Sequence, residues 1–96
     1  MGVGPEAAVK NRIKQILNEH WPIYFDMPVP GGYGKPTLDF TGCHKGDYFA
    51  IEAKAPGKKP TPRQELTIAS MRGADARVFI IDGTDYQELI AWLERS

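Results

Sequence analysis

TLDFTGCHKGDYFAIEAK, residues 37–54, reads as two short strands joined by a tight turn. Thr37 to Thr41 alternates, with Leu38 and Phe40 on one face and Thr37, Asp39 and Thr41 on the other. Tyr48 to Lys54 alternates as well: Phe49, Ile51 and Ala53 face one way, and Tyr48, Ala50, Glu52 and Lys54 face the other. Gly42 to Asp47 supplies the turn between them, with Gly46 as its flexible point. An antiparallel hairpin is expected, and it brings Asp39 close to Glu52 and Lys54.

Upstream, Val9, Ile13, Ile16 and Leu17 recur at helical spacing and predict a helix from Pro5 to about His20. Pro5 suits the first helical position, and Glu6 falls on the apolar stripe, three residues before Val9. His20 is expected to end this helix favourably as a cation. Trp21-Pro22 stops it, and Ile23 to Val29 follows as a strand that Pro28 and Pro30 confine to an edge. The turn-rich stretch Gly31 to Pro36 lacks the Gly and Ser/Thr positions of a phosphate loop. Downstream, Ala55 to Pro60 is a loop, and Thr61-Pro62-Arg63-Gln64 has the form of a capping box opening a helix to about Arg72, with Gly73 as its cap. Arg77 to Asp82 is nearly all apolar, the pattern of a strand buried on both faces. Thr84 to Gln87 repeats the capping-box pattern before a last helix carrying Leu89, Ile90, Trp92 and Leu93. The order αβββαβα predicts a single α/β domain over residues 1–96, a small mixed sheet flanked by helices.

Ninety-six residues with 12 Lys+Arg and 12 Asp+Glu have no formal net charge, so a strongly basic nucleic-acid-binding domain is excluded. One cysteine, Cys43, excludes an internal disulfide and a four-cysteine zinc site, and beside His44 it offers no soft-metal set. The apolar runs are too short to cross a bilayer and the first residues do not resemble a signal peptide, so a cytoplasmic setting is expected. Charge is nonetheless segregated. Lys54, Lys58, Lys59 and Arg63 form a basic segment without an acid, whereas residues 82–96 carry a net charge of −3. A basic loop opposite an acidic terminal helix can steer a polyanion. The plain alternative is a solvated lysine loop.

Two carboxylates in one hairpin repel unless something positive lies between them. Asp39 and Glu52 present the hard oxygen donors that suit a divalent cation such as Mg²⁺, which keeps open positions for phosphate and water. Lys54 beside them could orient a water or stabilise charge on a phosphoryl group. The alternative is an ordinary cross-strand ion pair. Glu6 has its own alternative as an acid favoured by the helix dipole, and Gln64 as the capping partner of Thr61. Trp21, Tyr33, Tyr48 and Trp92 are expected in the core or at an interface rather than as base-stacking platforms.

Asp39 followed after a hairpin by Glu52-Ala53-Lys54 resembles the PD-(D/E)xK nuclease signature. With Glu6 on the first helix and Gln64 opening the next, the chain from Glu6 to about Asp82 is similar to the VRR-NUC (virus-type replication-repair nuclease) branch. The residue before Asp39 is Leu38, and the nearest proline, Pro36, lies three residues upstream. The resemblance implies a PD-(D/E)xK core and Mg²⁺- or Mn²⁺-dependent hydrolysis of DNA phosphodiesters. It implies Asp39, Glu52 and the Ala53 carbonyl as metal ligands, Lys54 as a catalytic residue, and Glu6 and Gln64 as active-site residues. Lys58, Lys59 and Arg63 are the expected DNA contacts. Stand-alone members of the branch are similar to Holliday-junction resolvases that act as homodimers, and paired cuts across a four-way junction need two sites related by a twofold axis. The expected function is therefore a structure-specific endonuclease on branched DNA. The alternatives are a nuclease on flaps or linear duplex, or a catalytically silent nucleic-acid-binding module.

Overall fold

A computed structural model describes residues 4–29 and 35–95. Its elements follow the expected order: α1 (Pro5–Glu19), β1 (Tyr24–Asp26), β2 (Phe40–His44), β3 (Asp47–Ala53), α2 (Pro62–Gly73), β4 (Arg77–Ile81) and α3 (Gln87–Leu93). They form a compact α/β fold around one mixed sheet of order β1-β2-β3-β4. β1, β2 and β3 pair antiparallel, and the α2 crossover makes β4 parallel to β3. Among the described residues, no helix is long and apolar enough to cross a membrane.

The two sheet faces are covered unequally. Phe40, Phe49, Ile51, Ala53, Phe79 and Ile81 pack against the α1 stripe of Val9, Ile13, Ile16 and Leu17 and against Leu89 and Leu93 of α3. The opposite face has a smaller core, Leu38, Ala50, Ile68 and Val78, beneath α2. Ile68 is the one buried residue of that helix, and Leu66 is exposed. This thin cover corrects the reading of β4 as buried on both faces: Ile80 is 38 % exposed, in register with Glu52.

Several boundaries move, each for a local reason. β1 is only three residues long, held between Pro22 and Pro28, and it does lie at an edge. Gly42 belongs to β2 rather than to the turn; a Cβ there would meet the Tyr24 carbonyl oxygen at 2.2 Å, so glycine is what lets β1 approach β2. The turn itself is Lys45-Gly46, both at positive φ, the geometry of a two-residue hairpin loop. The capping box of α2 forms as expected, with Thr61 and Gln64 bonded in both directions, but Gly73 stays helical and Asp75 takes the left-handed conformation instead. The second expected box does not form. Thr84 turns back to Asp82, and Asp85 accepts from the Gln87 N–H, so α3 starts later. The turn-rich stretch from residue 31 lies outside the described residues as far as 34, and so does Tyr33. Trp21 and Tyr48 are exposed, while Trp92 packs on Phe49 and Phe79.

Candidate active site at the end of strand β3

β3 brings Glu52 and Ala53 to the carboxyl end of its pairing with β4, the end where open α/β sheets commonly bind ligands. Lys54 follows at once, its N–H donating to the Ile81 carbonyl at 2.9 Å. Glu52 is almost fully buried, at 4 % exposure, and its Oε2 lies 3.7 Å from the Lys54 Nζ. Burial pushes the Glu52 carboxyl up to about 7, and the neighbouring Asp39 charge adds to this, while Lys54 opposes it. Glu52 is therefore a carboxylate short of positive charge.

Asp39 reaches the site by a route that alternation does not predict. The chain bends at Asp39, just before β2 begins. Leu38 and Phe40 consequently enter opposite cores rather than sharing a face. The register Phe40↔Ile51 would bring Leu38 opposite Ala53 if the strand ran on. Instead, the Ala53 N–H donates to Asp39 Oδ2 at 2.8 Å, and the carboxylate stands in for the missing rung of the ladder. The N–H and C=O of a strand residue point to the same neighbour, so the Ala53 carbonyl is also directed to the Asp39 side. Two carboxylates and a carbonyl thus converge at one strand end.

Glu6 is exposed rather than buried on the stripe, with 48 % of its side chain accessible. Its partner is Lys10, one turn along α1, at 3.6 Å, and the same Lys10 Nζ lies 3.5 Å from Asp39 Oδ1. Lys10 was not singled out from the sequence, although an i,i+4 Glu–Lys pair flanking the apolar stripe was visible there. The Gln64 Oε1 accepts from the Thr61 N–H at 2.9 Å, so its capping role is the one the geometry displays. Lys58, Lys59 and Arg63 are exposed, and none is in an ion pair with another described residue.

One acid expected on the far side belongs here. Asp82 Oδ1 accepts from the Thr84 N–H and hydroxyl, and Oδ2 accepts from the Gly57 N–H at 3.3 Å, tying the lysine loop to the end of β4. These bonds, that from the Thr84 hydroxyl first, hold its carboxyl below the usual range. Away from the site, His44 Nε2 donates to the Leu93 carbonyl, and Cys43 is exposed. His20 donates from Nδ1 to the Ile16 carbonyl and from Nε2 to Glu94; the Ile16 bond raises its pKa most, burial opposes it, and Glu94 raises it further.

Among the described residues, no three His, Cys, Asp or Glu side chains are grouped to hold a metal. The donor set is two carboxylates and one backbone carbonyl, all hard oxygens, around an under-compensated negative charge. It fits a divalent cation that retains waters. No protein-family model, curated protein or solved structure matches the chain.

Proposed function

We propose that the protein is a metal-dependent DNA endonuclease of the PD-(D/E)xK type, similar to the VRR-NUC branch, acting on branched DNA as a homodimer. The observation that carries this reading is Glu52: a buried carboxylate within reach of the Asp39 charge, with Lys54 beside it and the exposed Lys58 and Lys59 four and five residues beyond Lys54. An ordinary ion pair gives no account of why a second acid lies near enough to a buried one for its charge to raise that carboxyl. Strongly displaced carboxyls of this kind cluster at functional sites.

Asp39, Glu52 and the Ala53 carbonyl would hold Mg²⁺ or Mn²⁺. Such an ion, when bound, supplies a Lewis acid for a phosphoryl oxygen and lowers the pKa of a bound water. The chain's own residues do the rest. Lys54 places an ammonium where charge develops on the phosphoryl group, anchored by its backbone bond to β4. Lys58, Lys59 and Arg63 attract and align the DNA backbone, and Asp82 fixes the loop that presents the two lysines.

Labelled four-way junction, flap and linear duplex are incubated with the protein, with and without Mg²⁺. Metal-dependent cleavage with preference for the junction is expected. Binding without cleavage in any metal would leave a silent nucleic-acid-binding module. Affinity for the junction is then measured in Ca²⁺ across a salt series, beside sedimentation of the free protein. About three phosphate contacts per subunit, doubled in a dimer, give a slope of log affinity against log salt of roughly 5. A monomer with half that slope and equal affinity for duplex removes the resolvase reading.

A further inference from the structure

Asp39 Oδ2 is committed to the Ala53 N–H, which leaves Oδ1 as its free oxygen. That oxygen is the one facing Lys10. Resting on the metal-centre reading above, we infer that Lys10 is the internal counter-ion of this site: its ammonium occupies the place of a divalent cation beside Asp39, and it is displaced toward Glu6 when a cation binds. Three features support this positioning role. Both contacts of the ammonium, 3.5 Å to Asp39 and 3.6 Å to Glu6, are longer than a hydrogen bond, so neither carboxylate holds it rigidly. Its four-carbon stem is flexible, and its side chain is about one-third exposed, so it can move without leaving a buried hole. Glu6, one turn back on the same helix, remains as an acceptor after Asp39 is released. Glu6 then acts through Lys10 rather than as a ligand, which accounts for its exposure.

The test is a titration with Mn²⁺ alone, in the absence of DNA, combined with melting in EDTA. Lys10→Met keeps most of the apolar stem and removes the charge. Without its competitor the site should bind Mn²⁺ about five- to tenfold more tightly, the range expected for one ammonium near a partly exposed carboxylate. In EDTA the same variant should melt about 2–4 °C lower, because the carboxylates lose their counter-ion. Lys14→Met removes an equal charge one turn further along α1 and should leave the Mn²⁺ affinity unchanged. Glu6→Gln should weaken Mn²⁺ binding in the wild-type background, by leaving Lys10 to Asp39 alone, and have no effect in the Lys10→Met background. Equal or weaker Mn²⁺ binding by Lys10→Met overturns the counter-ion role and leaves the metal centre standing. Weakening by Glu6→Gln in both backgrounds makes Glu6 a direct ligand and likewise overturns it. No Mn²⁺ binding by any of these proteins removes the metal centre and the competition together.

Discussion

Strand β3 begins and ends beside ion pairs, and the two ends treat charge in opposite ways. At the Asp47 end, the Arg95 guanidinium meets Asp47 Oδ2 at 2.6 Å, donates to the His44 and Trp92 carbonyls, and lies 4.0 Å over the Trp92 ring. The Lys45 ammonium closes the same corner by donating to the Arg95 carbonyl. Asp47 is exposed, so pairing it costs little desolvation. At the Glu52 end, the acid is buried, its distance to Lys54 is 3.7 Å, and burial and Asp39 keep its carboxyl at about 7. Tight pairing at the wet end fastens the C-terminal residues to the hairpin. Loose pairing at the dry end leaves the buried acid under-compensated, which is the arrangement expected where charge is kept available for chemistry.

That contrast can be broken most severely by substituting the dry end. Asp39→Asn and Glu52→Gln should take metal-dependent cleavage below detection, and Lys54→Met should lower it by about 10²–10³-fold, all in folded proteins. Single-turnover assays with circular dichroism as a folding control check this. Wild-type rates for Lys54→Met would reduce that lysine to a phosphate contact.

The same end should improve as structure when it is lost as chemistry. Glu52 binds its proton more tightly folded than unfolded, its carboxyl rising from 4.5 to about 7. Its contribution is therefore complete below about 4.5 and is lost as pH rises through about 7. In EDTA at pH 8, Glu52→Gln should be more stable than wild type by up to about 3 kcal/mol, and the gain should vanish near pH 4.5. Urea unfolding at the two pH values measures it. Destabilisation at pH 8 would mean that the carboxylate has a partner strong enough to hold it charged.

At the wet end the sign reverses. Arg95→Ala removes one exposed ion pair, two bonds to carbonyls and a stacked ring, and should cost about 1–2 kcal/mol with cleavage unaffected. Smallest of all is the effect of the loop. Lys58→Ala or Lys59→Ala, each lost from both subunits of the dimer, should lower the salt slope of DNA binding by about 1.8 while leaving the rate of bound substrate unchanged. An unaltered slope would mean that neither lysine touches phosphate.

Features set by local chemistry were legible in the sequence. The αβββαβα order, the α1 stripe, the Thr61–Gln64 box and the edge position of β1 all follow from spacing or from proline. Features that depend on a neighbouring strand were not. Gly42 resembles a turn glycine until the Tyr24 carbonyl is set against it, and Thr84 resembles a cap until Asp82 takes its hydroxyl. At the site, the proximity of Glu52 and Lys54 came from simple alternation. The placement of Asp39 did not, because one bend puts its side chain in the plane of the sheet, and Lys10 stayed hidden because its partner lies on another element.

If the proposed metal centre forms, the rung that Asp39 makes with Ala53 would report its occupancy. The Ala53 amide donates to the carboxylate beside it, so a shift of that carboxylate should change the exchange of this amide with solvent. Anything drawing on Asp39 Oδ1 shares that carboxylate, so ligation should be readable at a backbone amide fourteen residues away in sequence. Metal titration followed by hydrogen exchange at this one position would register filling of the site before any substrate is added.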